Sequence, residues 1–168
     1  MSKVAEVRLT IAAIIYAIEL DFKSLIIRYL TPFQNNLGFM GSVDLIKKTK
    51  DRYQKENPTI NPEENIEEAI EYLDFGDFYQ IILRNKSFFP DDLILNIKSM
   101  TPKFEELSAI RNRVMHTRPL LGGDFSTTYA FAKEMVEQQN NHWDTLSLTL
   151  VKIEKDPSYV LTPYNYLS

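Results

Sequence analysis

The sequence predicts an all-α fold: a helical bundle of six or seven helices, with a long first and a long last helix. Two observations carry this. No segment sustains the period-2 alternation of a half-buried strand, whereas apolar residues recur at i, i+3 and i+4 in block after block. The blocks are separated by proline, asparagine and glycine signals placed where helices start and stop.

Residues 3–30 read as one helix. Val4, Val7, Ile11, Ile14, Ile15, Ile18, Phe22, Leu25 and Ile26 keep helical spacing, and Thr31-Pro32 ends it because proline disfavours helix in the residue before it. The wide apolar stripe marks a central helix of the core. Glu19 and Asp21 interrupt that stripe, and Arg8, Arg28 and Arg111 are the available ion-pair partners. Ser42 caps a second helix running to about Lys55, with Val43, Leu45 and Ile46 as its apolar face.

Asn61-Pro62-Glu63-Glu64 has the form of a helix start, and Ile66, Ala69, Ile70 and Leu73 supply a buried face. Gly76 then stops that helix, and Asp77 with Gln80 starts the next, which runs to about Phe88. Pro90-Asp91-Asp92 opens a short helix, with Leu93, Leu95 and Ile97 as candidates for burial. A further helix starts at Thr101-Pro102 and must end before Pro119. Asp124 caps the last helix, roughly 125–154, whose middle is weakened by Gln138-Gln139-Asn140-Asn141-His142 so that a kink is expected there. Residues 1–157 are read as one helical domain and 158–168 as an extended, tyrosine-rich tail or linker.

With 168 residues the chain is large enough to bury a core. It contains no cysteine, which excludes disulfides, thiolate metal sites and cysteine nucleophiles. No Gly-rich phosphate loop is present, and the longest apolar run, Ile11–Ile18, is too short to span a membrane. With no signal peptide legible, a cytoplasmic protein is expected. Neither a cofactor nor a metal is expected, because no carboxylates cluster with a histidine at ligand spacing.

The net charge of −4 argues against non-specific binding of long duplex DNA, but charge is unevenly placed. Residues 57–83 hold seven acidic residues and no Lys or Arg. Residues 96–118 hold Lys98, Lys103, Arg111, Arg113 and Arg118 against only Glu105 and Glu106. A solvated helix face accounts for such a run as readily as a binding site does.

Within that basic stretch lies Ile110-Arg111-Asn112-Arg113-Val114-Met115-His116-Thr117-Arg118-Pro119. At 100° per residue, Phe104, Leu107, Ile110 and Val114 form one stripe, and Asn112 and His116, four apart, share a roughly opposite face. His116 is therefore expected to face solvent, a substrate or another chain. Arg111, at the stripe's edge, is expected to be partly buried and paired with a carboxylate.

These residue types suit metal-independent cleavage of RNA. Imidazole moves protons to or from a 2′-hydroxyl or a leaving oxygen. A guanidinium neutralises the phosphorane, and an asparagine holds the imidazole or a phosphate oxygen. Acid–base chemistry needs both a donor and an acceptor, and two chains on a two-fold axis supply two histidines. On spacing alone, an exposed histidine near a structural arginine is the better account. His142-Trp143 is open to two readings, a stacking site or a tryptophan packed on the bundle.

Arg111-Asn112-x-x-x-His116 resembles the R-x-x-x-x-H signature of the HEPN superfamily. The approach Phe104-Glu105-Glu106-Leu107-x-x-Ile110, the adjoining Thr117-Arg118-Pro119 and the later Asp124-Phe125 look like a subgroup found ahead of ATPase domains in bacterial defence and stress proteins. The resemblance covers about 101–126. It implies a helical bundle that dimerises with its motif helices facing each other. The family's Arg, Asn and His carry over to Arg111, Asn112 and His116 as catalytic residues, with Arg113, Arg118 and Lys103 as candidate RNA contacts. It further implies an endoribonuclease leaving 2′,3′-cyclic phosphate ends, acting as a toxin or antiviral effector. An antitoxin or a C-terminal ATPase domain would then be a partner. Other members keep the fold without activity, which leaves a dimerisation or sensor module as the alternative. The family also uses an acidic or polar residue from an earlier helix; Asp74 and Asp77 are candidates for it.

Overall fold

The computed structural model describes residues 3–139 and 141–161. Among these the chain is all-α: α1 (Lys3–Tyr29), α2 (Val43–Glu56), α3 (Ile66–Ala69), α4 (Phe75–Arg84), α5 (Asp91–Met115), α6 (Asp124–Gln139) and α7 (Asp144–Lys155), linked by short 3-10 turns, with no strand among the described residues. The chain divides into two compact units, Phe22–Lys98 on the one hand and residues 1–21 with 99–168 on the other. Both boundaries fall inside helices, one in α1 and one in α5.

The unit 22–98 is built on aromatic packing. Phe22 lies 6.0 Å from both Phe75 and Phe78, ring centre to ring centre. Ser42 caps α2 as expected, its Oγ accepting from the Leu45 N–H at 3.3 Å. Val43, however, is exposed, and α2 buries Thr49 and Tyr53 instead. The segment after Asn61-Pro62 does not form one helix. It breaks into a 3-10 turn, the four-residue α3 and a second 3-10 turn, although Ala69, Ile70 and Leu73 are buried as expected. Like charge at i, i+4 on Glu63/Glu67, Glu64/Glu68 and Glu67/Glu71 disfavours one continuous helix there. The next helix starts at Phe75 rather than Asp77, and Asp77 reaches back to accept from the Asp74 N–H at 2.9 Å.

Pro102 does not start a helix. It sits inside α5, which runs unbroken from Asp91 to Met115. An internal proline costs a hydrogen bond to the Lys98 carbonyl, about 3 kcal/mol. Burial of Met100, Phe104 and Leu107 on the neighbouring turns offsets this at about 1.5–3 kcal/mol per side chain. In the first part of α5 the buried apolar residues include Leu93, Ile94 and Ile97, while Leu95 is 68% exposed, because i, i+2 spacing cannot hold one helix face.

The unit of residues 1–21 with 99–168 packs the first part of α1 with the second part of α5, α6 and α7. Its core includes Ile11, Ile14, Ile18, Phe104, Leu107, Ile110, Phe131 and Leu146. The expected long last helix is two helices, α6 and α7, since the asparagine-rich stretch ends the first rather than kinking it. Asp21 restarts the chain at α7: buried in the core, it accepts from the Thr145 and Leu146 N–H groups at 2.9 and 2.8 Å. Burial pushes its carboxyl up from the ordinary value, against the pull of those two bonds. Trp143 at this joint is fully buried, so it packs on the bundle and is not a stacking surface. Beyond α7, Pro157–Leu161 forms a 3-10 turn, so the expected tail does not start out extended; its residues 162–168 lie outside the described residues.

Candidate functional site

The second part of α5 buries Phe104, Leu107, Ile110 and Val114, the stripe read from the sequence. Asn112 and His116 are exposed, and among the described residues neither side chain hydrogen-bonds to another group of the chain. Arg111 lies between these faces, with its side chain 26% exposed, and donates from Nε to Glu19 Oε1 of α1 at 2.8 Å. Glu19, with its side chain 14% exposed, is thus the carboxylate that holds Arg111. Asp74 and Asp77 instead bond Lys48 and, for Asp74, Arg52. The Glu19 bond uses one edge of the guanidinium and leaves the two Nη amino groups without a partner among the described residues.

The end of α5 is fixed by a turn that sequence spacing did not reveal. The Arg118 N–H returns to the Arg113 carbonyl at 2.9 Å, and the Thr117 N–H to the Val114 carbonyl at 3.4 Å. This is a Schellman closure with His116 at the cap position. It requires a left-handed residue at position 117, and Thr117 adopts φ 51°. For a β-branched residue that conformation costs roughly 1–2 kcal/mol. Thr117 Oγ1 also donates to the His116 carbonyl at 2.8 Å.

Arg8 of α1 completes the closure. Its Nη1 donates to the Arg113 and Val114 carbonyls at 3.1 and 3.3 Å, and its Nη2 to the Arg118 carbonyl at 2.7 Å. A cation at the negative end of α5 is favourable as well as geometrically apt. No motif in the sequence marks Arg8 for this role; the only signal is a basic residue inside the stripe of α1.

Arg113 turns inward. Its Nε and Nη2 donate to Asp124 at 2.9 and 2.6 Å, and Asp124 also accepts from the Leu121 N–H at 2.9 Å. The Arg113 guanidinium holds the Asp124 carboxyl below the usual carboxylate range, and Asp124 raises Arg113 in return. Asp124 therefore ties the start of α6 to α5 with its carboxylate instead of capping its own helix with it. Lys103 pairs with Glu134 and lies 6.0 Å from the centre of the Phe131 ring. The Arg118 side chain is exposed and makes no ion pair among the described residues. Of the three candidate RNA contacts, Arg118 alone presents an uncommitted cation.

Beside Arg111 lies a pocket of about 160 Å³, lined by Ala12, Ile15, Tyr16, Glu19, Val114 and Met115 together with Arg111 itself. Met115 at its edge is 57% exposed. Among the described residues no group of three or more His, Asp or Glu is placed to hold a metal ion, and no helix is long and apolar enough to cross a membrane. The arrangement offers an anchored cation, an exposed imidazole and an exposed carboxamide on adjoining faces of one helix end. Comparison of the chain with protein-family models, with curated proteins and with solved structures finds no match.

Proposed function

We propose that this protein is a metal-independent endoribonuclease of the HEPN type, working as a homodimer in a toxin or antiviral defence role. The observation that carries the reading is the end of α5. There a strained Thr117 and a three-carbonyl Arg8 clamp hold an exposed His116 five residues from Arg111, whose Nη groups are open. Strain of this kind is retained where the surrounding structure enforces it for a purpose.

In the proposed reaction the 2′-oxygen of one ribose attacks the adjacent phosphorus. One imidazole takes the 2′-hydroxyl proton while the P–O5′ bond breaks, and a second imidazolium protonates the leaving 5′-oxygen. The products are a 2′,3′-cyclic phosphate and a 5′-hydroxyl. The two imidazoles are the His116 side chains of two copies of the chain, brought together by the motif helices. The Arg111 Nη groups donate to the non-bridging oxygens as charge builds on phosphorus. Asn112, one turn before His116, orients the imidazole or a phosphate oxygen. Arg118 adds a backbone-directed cation.

The test is end-group analysis of cleaved RNA together with light scattering of the purified chain. The reading requires cyclic phosphate ends and a dimer; linear 3′-phosphates formed directly, or a monomer with full activity, would rule out the composite site.

A second reading is a non-catalytic dimerisation or sensor module of a larger ATPase-type protein. The observation favouring it is an apolar recess formed by Val4, Val7, Leu121 and Phe125 beside Arg8, of which Val4 and Leu121 are 64% and 60% exposed. Unchanged function on His116→Ala in the full-length protein would select it.

A further inference from the structure

The pocket beside Arg111 has unused hydrogen-bonding capacity in an otherwise apolar wall. Glu19 spends Oε1 on Arg111, and Oε2 has no donor among the described residues. The rest of the lining is Ala12, Ile15, Tyr16, Val114 and Met115. The Glu19 side chain is 14% exposed, and its second oxygen remains open to a ligand that brings donors to it. An apolar cavity of about 150 Å³ admits a benzene-sized ring, so this pocket is of a size for the six-membered ring of a base, with the second ring of a purine towards the exposed Met115 edge. Tyr16 supplies an aromatic face and Met115 a polarizable one.

We infer that this pocket binds the nucleobase next to the scissile phosphate and selects guanine. Guanine presents a ring N–H and an adjacent exocyclic amino group on one edge, two donors side by side for a carboxylate. Cytosine presents an amino donor beside a ring acceptor, and uracil a ring N–H between two carbonyls, so each sets at least one acceptor against Glu19. Adenine lacks the ring N–H. The phosphate then falls to the Arg111 Nη groups and the Asn112–His116 face, one residue further along α5 from the two pocket residues Arg111 and Met115. This assignment rests on the ribonuclease reading for its place in the substrate, but binding of the base alone does not depend on cleavage.

The experiment is calorimetric titration of the full chain with 5′-GMP, 5′-AMP, 5′-CMP and 5′-UMP, beside sequencing of RNA cleavage ends. Ala12→Phe fills the pocket while leaving Arg111 and His116 unsubstituted; Tyr16→Ala removes the stacking face, and thermal melting verifies that both variants fold. The expected result is GMP binding at least about tenfold tighter than CMP or UMP, with that margin lost in both variants. Guanine should also be enriched at one position flanking the cut. Equal affinity for all four nucleotides, or GMP binding unchanged in both variants, overturns the proposal. Selective GMP binding without any cleavage retains the pocket and removes the nuclease reading. Cleavage without base preference does the reverse. A dimer that dissociates in Tyr16→Ala, with no GMP bound by wild type, assigns the pocket to a side chain of a second copy and also overturns it.

Discussion

Arg111 donates from Nε to Oε1 of Glu19 over 2.8 Å, joining α5 to α1 across 92 residues of sequence. The bond restrains the guanidinium and leaves its two amino groups without a partner among the described residues. If Arg111 stabilises charge on phosphorus, its aim matters as much as its presence. Glu19→Ala is expected to lower RNA cleavage by about a hundredfold while leaving the helical content unchanged. Single-turnover cleavage with circular dichroism checks this; full activity in the variant would mean that Arg111 needs no orienting partner.

On the proposed ribonuclease reading, Arg8 positions His116 by holding the turn that carries it. Arg8→Ala removes three contacts to the last carbonyls of α5 and the cation at its negative end. It should cost about 1–3 kcal/mol in chemical denaturation. Cleavage should fall further than stability alone explains, since the turn carrying the imidazole loosens. Arg8→Lys, which keeps the charge but not the fork, should recover part of the stability and less of the activity.

Thr117 holds φ 51° without being glycine. Thr117→Gly relieves the steric cost but loses the hydroxyl bond to the His116 carbonyl. The net expectation is a gain of about 1 kcal/mol in stability, read as a higher unfolding midpoint. A loss would mean that the hydroxyl bond outweighs the strain.

Asp21 gives a pH signature. Its carboxyl is raised by burial, so the folded chain holds this proton at a pH where the unfolded chain, near 3.8, has released it. Its contribution is therefore fully present below about the unfolded value and is lost as pH rises through the folded value. Asp21→Asn cannot titrate. Wild type should exceed this variant in melting temperature by a margin that grows as pH falls from neutrality towards 4 and shrinks as pH rises. A margin independent of pH would contradict the raised value.

Much of this was legible in the chain itself. The stripe Phe104, Leu107, Ile110, Val114 follows from period alone, and it places Asn112 and His116 outside and Arg111 at the margin. Period also gives α1. The errors lie where a tertiary gain overrides a local signal. Pro102 reads as a helix start, yet the apolar residues around it extend one helix from Asp91 to Met115. Asn61-Pro62 reads as a helix start, yet residues 62–72 form short turns, in a segment where like charges recur at i, i+4. Glu19 is one of the two carboxylates that the sequence offers to Arg111, without singling it out across 92 residues, whereas the partner of Arg113 has no such signal because Asp124 reads locally as a helix cap. The clamp from Arg8 leaves no sequence trace, since it addresses backbone carbonyls rather than side chains.

The measurement that tests the central claim most directly is RNA cleavage in EDTA by wild type beside His116→Ala, on a mixture of tRNA and mRNA. The account predicts cleavage by wild type with 2′,3′-cyclic phosphate ends, and none by the variant, with both proteins folded and dimeric. Cleavage by His116→Ala at the wild-type rate, or no cleavage by a stable wild-type dimer, would contradict it.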